Sequence, residues 1–156
     1  MNRLYVLVGV PGSGKSTWIK NQIWALGLNV VSTDSFVEDY ARAQGKTYSE
    51  VFEDYMPTAV KMMVDHVVFC RENKLDIIWD QTSCTIATRK KKIDMLPEYY
   101  KIAVVFKTPP TAELIKRLDS RTGKEIPWSI VSDMAQKLES EPPTLEEGFN
   151  EIWYGQ

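Results

Sequence analysis

Glycines, a lysine and a hydroxyl residue follow one another near the start of the chain in the pattern G-x-x-x-x-G-K-[ST], which residues 9–16 match in full. The match lies between an apolar run at residues 3–8, which predicts a strand, and a segment with helical spacing. Gly12 and Gly14 permit a tight turn whose backbone N–H groups converge on a phosphate. The first turn of the helix adds further N–H donors and a positive dipole end. The pattern therefore predicts a loop that binds the phosphates of a nucleoside triphosphate.

The polar side chains of this loop have definite chemical roles in such a site. Lys15 brings a positive charge to the outer phosphates, and the Ser16 hydroxyl is a ligand for Mg²⁺. We therefore expect ATP and Mg²⁺ as cofactors. The loop residues expected to contact the nucleotide are Gly9, Pro11, Gly12, Ser13, Gly14, Lys15, Ser16 and Thr17.

Two aspartates follow predicted strands further along the chain. Asp34 follows the strand predicted at residues 29–33, and Asp80 follows the one at residues 75–79. In an open parallel sheet both would lie at the carboxyl edge, where ligands bind. Phosphoryl transfer to a hydroxyl needs a carboxylate near Mg²⁺ and another that accepts the hydroxyl proton. We assign Asp80 to the metal and the substrate network and Asp34 to the general base. The alternative is that each aspartate caps the helix or turn that begins there.

Basic residues are concentrated in a segment that follows the fourth predicted strand. They are Lys116, Arg117, Arg121 and Lys124. Arg117 and Arg121 are four residues apart, so on a helix they would share one face. We predict a mobile helical lid at about residues 115–127 that brings these two arginines to the triphosphate. The alternative is a solvated helix surface.

A second basic run, Arg-Lys-Lys-Lys, occupies residues 89–92. It is either a solvated helical face or a contact for the phosphates of an acceptor. Arg89 is the residue of this run that we expect to point inward. The residues expected to bind the acceptor substrate are therefore Asp34, Asp80 and Arg89.

The apolar patterns predict strands and helices in alternation. The strands are predicted at residues 3–8, 29–33, 75–79, 101–107 and 149–153, and the helices at residues 15–26, 57–73, 87–96, 111–121 and 127–139. This α/β alternation predicts a mostly parallel sheet with helices on both faces. No internal repeat or low-complexity tract is visible, so we expect residues 1–156 to form a single domain.

The composition is that of a globular protein, with 44% hydrophobic and 26% charged residues among 156. No stretch approaches the roughly 20 apolar residues that cross a bilayer, and the N-terminal apolar run is too short for a signal peptide. Two cysteines without metal spacing indicate a reducing compartment, so we expect a cytoplasmic protein without membrane contact. A net charge of −2 argues against a broad, non-specific contact with nucleic acid but allows a local basic site.

Taken in order along the chain, these residues resemble the kinase domain of the polynucleotide 5′-hydroxyl kinases. These P-loop kinases, similar to AAA-type ATPases, phosphorylate the 5′ ends of DNA or RNA. The resemblance rests on the loop GVPGSGKSTW, on the two aspartates, on Arg89 nine residues after Asp80, on the spaced Arg117 and Arg121, and on a terminal P-x-x-x-E-G-F piece at residues 143–149. The loop alone occurs in many unrelated NTPases, whereas the arginines and the terminal piece are more specific.

The resemblance implies a three-layer P-loop kinase fold. Its central parallel sheet would have about five strands in the order 2-3-1-4-5, with helices on both faces and a helical lid. It also implies a general base at Asp34 and a supporting carboxylate at Asp80. Arg117 and Arg121 would be the lid arginines that contact the ATP phosphates.

The chain departs from the family pattern in the region that would hold the acceptor. The phage enzymes have Asn-Arg before the base, where this chain has Ser32-Thr33. They also have an arginine three positions after the base that meets an acceptor phosphate, where this chain has Val37. Residues 80–83 read DQTS instead of D-x-T-N. The segment that should shape the acceptor pocket contains Asp39, Arg42 and Tyr48.

The expected activity is transfer of the γ-phosphoryl group of ATP to a hydroxyl, with the 5′-hydroxyl end of DNA or RNA as the first choice of acceptor. A nucleoside, a modified base or another small-molecule hydroxyl is an alternative with the same chemistry. An ATP-binding switch or interaction module without an acceptor is a second alternative. Any contact with nucleic acid should be short, local and directed at an end.

Overall fold

The computed structural model describes residues 1–22, 24 and 27–155. Its strands are β1 (Arg3–Val8), β2 (Asn29–Val31), β3 (Ile77–Trp79), β4 (Tyr100–Val105) and β5 (Glu151–Tyr154). Its α-helices are α1 (Lys15–Asn21), α2 (Asp34–Gln44), α3 (Tyr48–Glu72), α4 (Ile86–Met95), α5 (Thr111–Asp119) and α6 (Trp128–Ser140). A 3₁₀ turn at Leu145–Glu147 precedes β5.

The five strands form one parallel sheet in the order β2-β3-β1-β4-β5, which confirms the expected topology. In the centre of the sheet, Leu4 of β1 pairs with Ile77 of β3 on one side and with Lys101 of β4 on the other. Because all strands run in the same direction, their carboxyl ends meet at one edge. Every loop that leaves this edge can therefore contribute to a common site.

Alternate residues of β1 pack against opposite layers of helices. Leu4, Val6 and Val8 belong to a core shared with α3, α5 and α6, whereas Tyr5 and Leu7 belong to a second core against which α1 packs. Burial on both faces explains why the central strands read as continuous apolar runs. The expectation of helices on both faces is confirmed.

The helix that follows the phosphate-binding loop is shorter than the pattern predicted. Helix α1 ends at Asn21, and the backbone of Gln22 is extended. Ile23 and Leu26, which the helical pattern included, lie outside the described residues.

The largest difference from the sequence-based elements lies between Asp34 and Asn73. No element was predicted at Asp34–Gln44, where α2 forms, and the helix predicted from Pro57 begins at Tyr48. The Thr47 side chain accepts a hydrogen bond from the Glu50 N–H, and the Glu50 carboxylate accepts one from the Thr47 N–H. This capping box starts the helix, so Pro57 lies in its interior, where its missing N–H costs one intrahelical bond.

Within the part of the chain that the structure describes, no helix combines the length and apolar character needed to cross a membrane.

One lysine of the 89–92 run is enclosed by the fold. Lys92 is buried on α4; its ammonium lies 5.4 Å from the centre of the Trp79 ring and donates to the Thr88 carbonyl. Burial, reinforced by the charges of Lys91 and Arg89, lowers the pKa of Lys92 from 10.5 to about 8. The folded protein therefore loses this proton at a lower pH than the unfolded chain does.

The buried lysine predicts a specific dependence of stability on pH. Between pH 8 and pH 10.5 the unfolded chain binds more protons at Lys92, so the free energy of unfolding rises with pH in this window. Relative to the Lys92→Met variant, the native protein should gain about 2 kcal/mol over this range, as measured by urea titration at several pH values. A difference between the native protein and Lys92→Met that does not change with pH would contradict the lowered pKa of Lys92.

Candidate active site

A cavity of about 1400 Å³ opens at the carboxyl edge of the sheet. Its lining includes the phosphate-binding loop with α1, the ends of β2 and β3, the starts of α2 and α3, the end of α5 with the segment that follows it, and α6. The structure thus brings together Lys15, Asp34, Asp80, Arg117 and Arg121 around one space, as the sequence pattern predicted.

The phosphate-binding loop is fixed to the sheet on one side and to α1 on the other. The Gly9 N–H donates to the Thr82 carbonyl at 2.9 Å, which ties the loop to the segment after β3. At the other end, the Trp18 N–H donates to the Gly14 carbonyl, and Gly14 has a φ of 105°. The left-handed backbone at this point favours glycine and turns the chain into the first helical turn.

Two glycines of the loop are also required by close packing. A Cβ at position 9 would lie 2.6 Å from the Ser13 Oγ, so any side chain at this position would collide with Ser13 inside the loop. At Gly12, with a φ of 81°, a Cβ would lie 3.0 Å from Leu114 of α5. Gly9 and Ser13 are buried, whereas Pro11, Gly12, Gly14, Lys15, Ser16 and Thr17 line the cavity.

Lys15 and Asp80 form the charged floor of the cavity. The Lys15 ammonium donates to the carbonyls of Gly9 at 2.8 Å and Val10 at 2.9 Å. Burial lowers the pKa of Lys15, against the opposing effect of the Asp80 carboxylate. Burial likewise raises the pKa of Asp80, against the opposing effect of Lys15. Each group therefore helps to keep the other charged at the sheet edge.

The residues at this floor fit a magnesium ion shared with nucleotide phosphates. Among the described residues, no group of three or more His, Cys, Asp and Glu side chains is placed to hold a metal ion on its own. Mg²⁺ in phosphoryl-transfer sites needs no such group, because it takes one or two protein oxygens together with phosphate oxygens and waters. The Ser16 hydroxyl and the half-buried Asp80 carboxylate, both lining the cavity, would supply those protein ligands. A divalent cation would also offset the cost of burying the Asp80 charge.

Asp34 is the first residue of α2 and is held by two side chains from other elements. The Tyr48 hydroxyl donates to Asp34 Oδ1 at 2.7 Å, and the Lys124 ammonium donates to Asp34 Oδ2 at 3.1 Å. Burial and the Asp34 carboxylate both raise the pKa of Tyr48, so the phenol stays protonated and remains a donor. The carboxylate predicted as general base is therefore fixed in orientation at the cavity wall.

Sequence patterns did not rank these two partners of Asp34. Tyr48 was one of three residues in the acceptor segment, and Lys124 was one of four basic residues near the lid. The capping box of Thr47 and Glu50 is the local signal that could have placed Tyr48 at the start of a helix. Asp39 and Arg42, the other two residues of that segment, form an exposed ion pair with each other and do not line the cavity.

The lid arginines lie on either side of the end of α5. Arg117, near the end of that helix, donates to the Gly12 carbonyl at 3.0 Å and to Glu113 at 2.6 Å. Arg121 follows the helix, which ends at Asp119, so the two arginines do not share one helical face as expected. Both nevertheless line the cavity beside the phosphate-binding loop.

The structure does not bring Arg89 to the cavity, contrary to its expected role in substrate binding. Its side chain is fully buried, and its guanidinium donates to both carboxylate oxygens of Glu147. Two further N–H groups bond the backbone carbonyls of Ser83 and Glu141 at 3.0 and 2.7 Å. Four of the five N–H groups of this buried guanidinium therefore have partners within the protein, and its role in this structure is to join α4 to the terminal motif.

The loop, the parallel sheet and the lid arginines define a nucleotide-binding domain with the P-loop kinase fold. A family model described as AAA domain matches residues 4–141. This match covers most of the chain, which therefore belongs to that family.

Solved structures agree with this fold. The chain is similar to one in the structure of the Pnkp1/Rnl/Hen1 RNA repair complex, with 29% identity and a TM-score of 0.68 over 89% of this chain and 44% of that one. A putative kinase from Chloroflexus aurantiacus J-10-fl has 19% identity and a TM-score of 0.70 over 98% of this chain and 84% of its own. The second likeness concerns the fold alone. Together they confirm the recognised resemblance to P-loop kinases.

A curated relative extends the similarity to another enzyme of nucleotide chemistry. The 2′,3′-cyclic-nucleotide 3′-phosphodiesterase of Mus musculus is 29% identical over 97% of this chain and 33% of its own length. The chain therefore spans about a third of this relative.

Because Arg89 is buried, we expect its replacement to lower the stability of the fold and to have little direct effect on acceptor binding. Arg89→Met would leave the Glu147 carboxylate, only 7% exposed, without its partner. We expect the free energy of unfolding to fall by about 3 kcal/mol in urea titrations. The control is Lys90→Met, at the position next to Arg89, which breaks an exposed ion pair between Lys90 and Asp94. This variant should lower the free energy of unfolding by less than about 0.5 kcal/mol. Native stability in Arg89→Met together with weaker acceptor binding would instead restore the substrate-binding role.

Proposed function

We propose that this protein is an ATP-dependent kinase that transfers the γ-phosphoryl group to a hydroxyl, with the 5′-hydroxyl end of a polynucleotide as the acceptor. The observation that carries the proposal is the position of Asp34. Its carboxylate is held at the wall of the same cavity that Lys15, Asp80 and the lid arginines line. A nucleotide switch has no need of an oriented carboxylate opposite its phosphate-binding loop, whereas a hydroxyl kinase does.

The transfer follows from the groups around the cavity. The acceptor oxygen attacks the γ-phosphorus in line as the bond from the γ-phosphorus to the β,γ-bridging oxygen breaks, and ADP leaves. The proton of the acceptor hydroxyl passes to the Asp34 carboxylate. Lys15, Arg117 and Arg121 stabilise the charge on the phosphoryl oxygens. Mg²⁺ bound at Ser16 and Asp80 would neutralise the charge that develops on the β,γ oxygens.

The choice of a polynucleotide end is supported by two similarities. This protein shares 29% identity with a chain of an RNA repair complex, and the similarity covers 89% of this protein. It shares the same identity with a cyclic-nucleotide 3′-phosphodiesterase over 97% of its length. One belongs to an RNA repair complex and the other acts on cyclic nucleotides, and hydroxyl ends of RNA are the substrates on which a kinase of this fold would act in such a setting.

The charge of the acceptor side favours a second candidate, a small-molecule hydroxyl. Val37 is fully buried, so α2 offers no cation at the position where the family pattern has an arginine. Acidic side chains line this part of the cavity, namely Glu38, Glu50, Glu53 and Asp54. Carboxylates repel the phosphates of a polynucleotide and tolerate a neutral or cationic acceptor.

Incubation of the protein with γ-³²P-labelled ATP and Mg²⁺ tests the acceptor. Parallel reactions would contain short 5′-hydroxyl RNA, short 5′-hydroxyl DNA, nucleosides, neutral polyols or amino alcohols, with the matching 5′-phosphate oligonucleotides as controls. Label on the 5′-hydroxyl oligonucleotides alone is the expected result. Label only on nucleosides or other small molecules would support the second candidate. Binding of ATP without label on any acceptor would overturn the kinase itself.

Replacement of the base gives a separate prediction. Asp34→Asn keeps the hydrogen bond from Tyr48 but cannot accept the acceptor proton, so kcat should fall by at least about 100-fold. The affinity for ATP, measured by calorimetry, should change by less than about threefold because the Asp34 carboxylate is held by Tyr48 and Lys124 and acts on the acceptor hydroxyl. The matched control is Asp65→Asn at an exposed position of α3, which should turn over normally. Near-native kcat in Asp34→Asn would remove Asp34 as the base.

A further inference from the structure

We propose that Lys124 is a positioning residue for Asp34, and that the strap (residues 122–126), which carries it, fastens the lid to the N-terminus of α3. The inference rests on the proposed function, because it concerns the same general base. The family pattern does not include this lysine, and its role differs from that of the two lid arginines, which act on the phosphates of the nucleotide.

The ammonium of Lys124 is surrounded by two carboxylates and an aromatic ring on the acceptor side of the cavity. It donates to Asp34 Oδ2 at 3.1 Å and to Glu38 Oε1 at 3.2 Å, and it lies 4.5 Å from the centre of the Tyr48 ring. The side chain is only 15% exposed, whereas those of its two acidic partners are about half exposed. A lysine this enclosed is held by its partners and does not act as a freely solvated surface charge.

The backbone of the strap is fixed to the same helix that supplies Tyr48. The Ser49 N–H donates to the Gly123 carbonyl at 3.1 Å, and the Glu125 N–H donates to the Ser49 Oγ at 2.7 Å. The first N–H groups of a helix have no partner within the helix, and the strap satisfies one of them. Gly123, with a φ of 72°, packs so closely that a Cβ there would lie 3.1 Å from Thr47.

These contacts place both oxygens of the base under the control of other elements. Tyr48 of α3 holds Asp34 Oδ1, and Lys124 of the strap holds Oδ2, so the plane of the carboxylate is set by a donor at each end. A base whose orientation is fixed before the acceptor arrives needs no reorganisation during transfer. Loss of either donor leaves a carboxylate that can rotate about its side-chain bonds.

The strap also links the base to the nucleotide. Arg121 lies three residues before Lys124 and lines the cavity next to the phosphate-binding loop. The triphosphate attracts Arg121, and any shift of that residue moves the strap because only Thr122 and Gly123 separate it from Lys124. When the strap is docked on α3, Arg121 lies at the phosphates and Lys124 lies at the base at the same time.

A direct contact between Lys124 and a phosphate of the acceptor is the competing role. The geometry disfavours it, because two donors of the ammonium are directed to carboxylates and the remaining side of the group faces the Tyr48 ring. The two roles differ in kinetics. A positioning residue lowers kcat, whereas a residue that binds the acceptor raises the KM for the acceptor.

The test compares Lys124→Met with Lys124→Arg and with the matched control Lys61→Met, which removes the same charge from an exposed position of α3. Steady-state kinetics would use whichever acceptor the native protein labels, and calorimetry would give the affinity for ATP. Amide hydrogen exchange, followed by NMR at Ser49 and Glu125, would report the strap independently of turnover.

Lys124→Met should lower kcat about tenfold, with both KM values and the affinity for ATP within about threefold of native. Its Ser49 and Glu125 amides should exchange at least about tenfold faster. Lys124→Arg, which keeps the charge and can reach both carboxylates, should return kcat to within about threefold of native. Lys61→Met should match the native protein in every measurement.

Three outcomes would overturn the inference. Unchanged kcat and unchanged exchange in Lys124→Met would show that Lys124 is not needed by the base or the strap. A raised KM for the acceptor at native kcat would make it a binding residue instead. Faster exchange with native turnover would limit it to fastening the strap. If the native protein labels no acceptor, the proposed function fails, and the exchange measurement still tests whether Lys124 fastens the strap.

Discussion

The ends of the five parallel strands meet at one edge, and every functional group in this protein depends on that constraint. The phosphate-binding loop leaves β1, Asp34 follows β2, and Asp80 follows β3 directly. Backbone hydrogen bonds join these ends: the Gly9 N–H donates to Thr82, and the Asp80 N–H donates to Val31. Residues far apart in sequence are thereby held within one cavity.

Charge divides this cavity into two unlike halves. Lys15, Arg117 and Arg121 surround the loop, where phosphate oxygens would accumulate negative charge. Carboxylates of α2 and α3 line the other half, and Lys124 forms ion pairs with two of them, Asp34 and Glu38. The first half is suited to a triphosphate of any kind. The second is suited to an acceptor that presents a hydroxyl to a carboxylate.

Patterns along the chain predicted the parallel sheet and the phosphate-binding loop, because each of those features is local or repeats with a fixed period, whereas the strand order came from the family resemblance. The glycine-rich loop is continuous in sequence, and Asp34 and Asp80 each follow an apolar run. Helix α2 was missed because its eleven residues bury only Val37 and Ala41, too few to mark a periodic face. Tyr48 and Lys124 were not ranked because they meet Asp34 from 14 and 90 residues away, a distance that no local pattern encodes.

Arg89 shows why a motif residue need not belong to the site even when the family resemblance is correct. Its distance from Asp80 and the terminal E-G-F sequence both fit the family pattern, and the structure pairs Arg89 with the glutamate of that sequence, Glu147. The glycine that follows has a φ of 129°, and Phe149 is buried in the core. Two pieces of the pattern that seemed to be separate functional signals are thus one structural contact. It holds α4 against the segment that leads into β5, and so it supports the β3–α4 region next to Asp80 without touching a substrate.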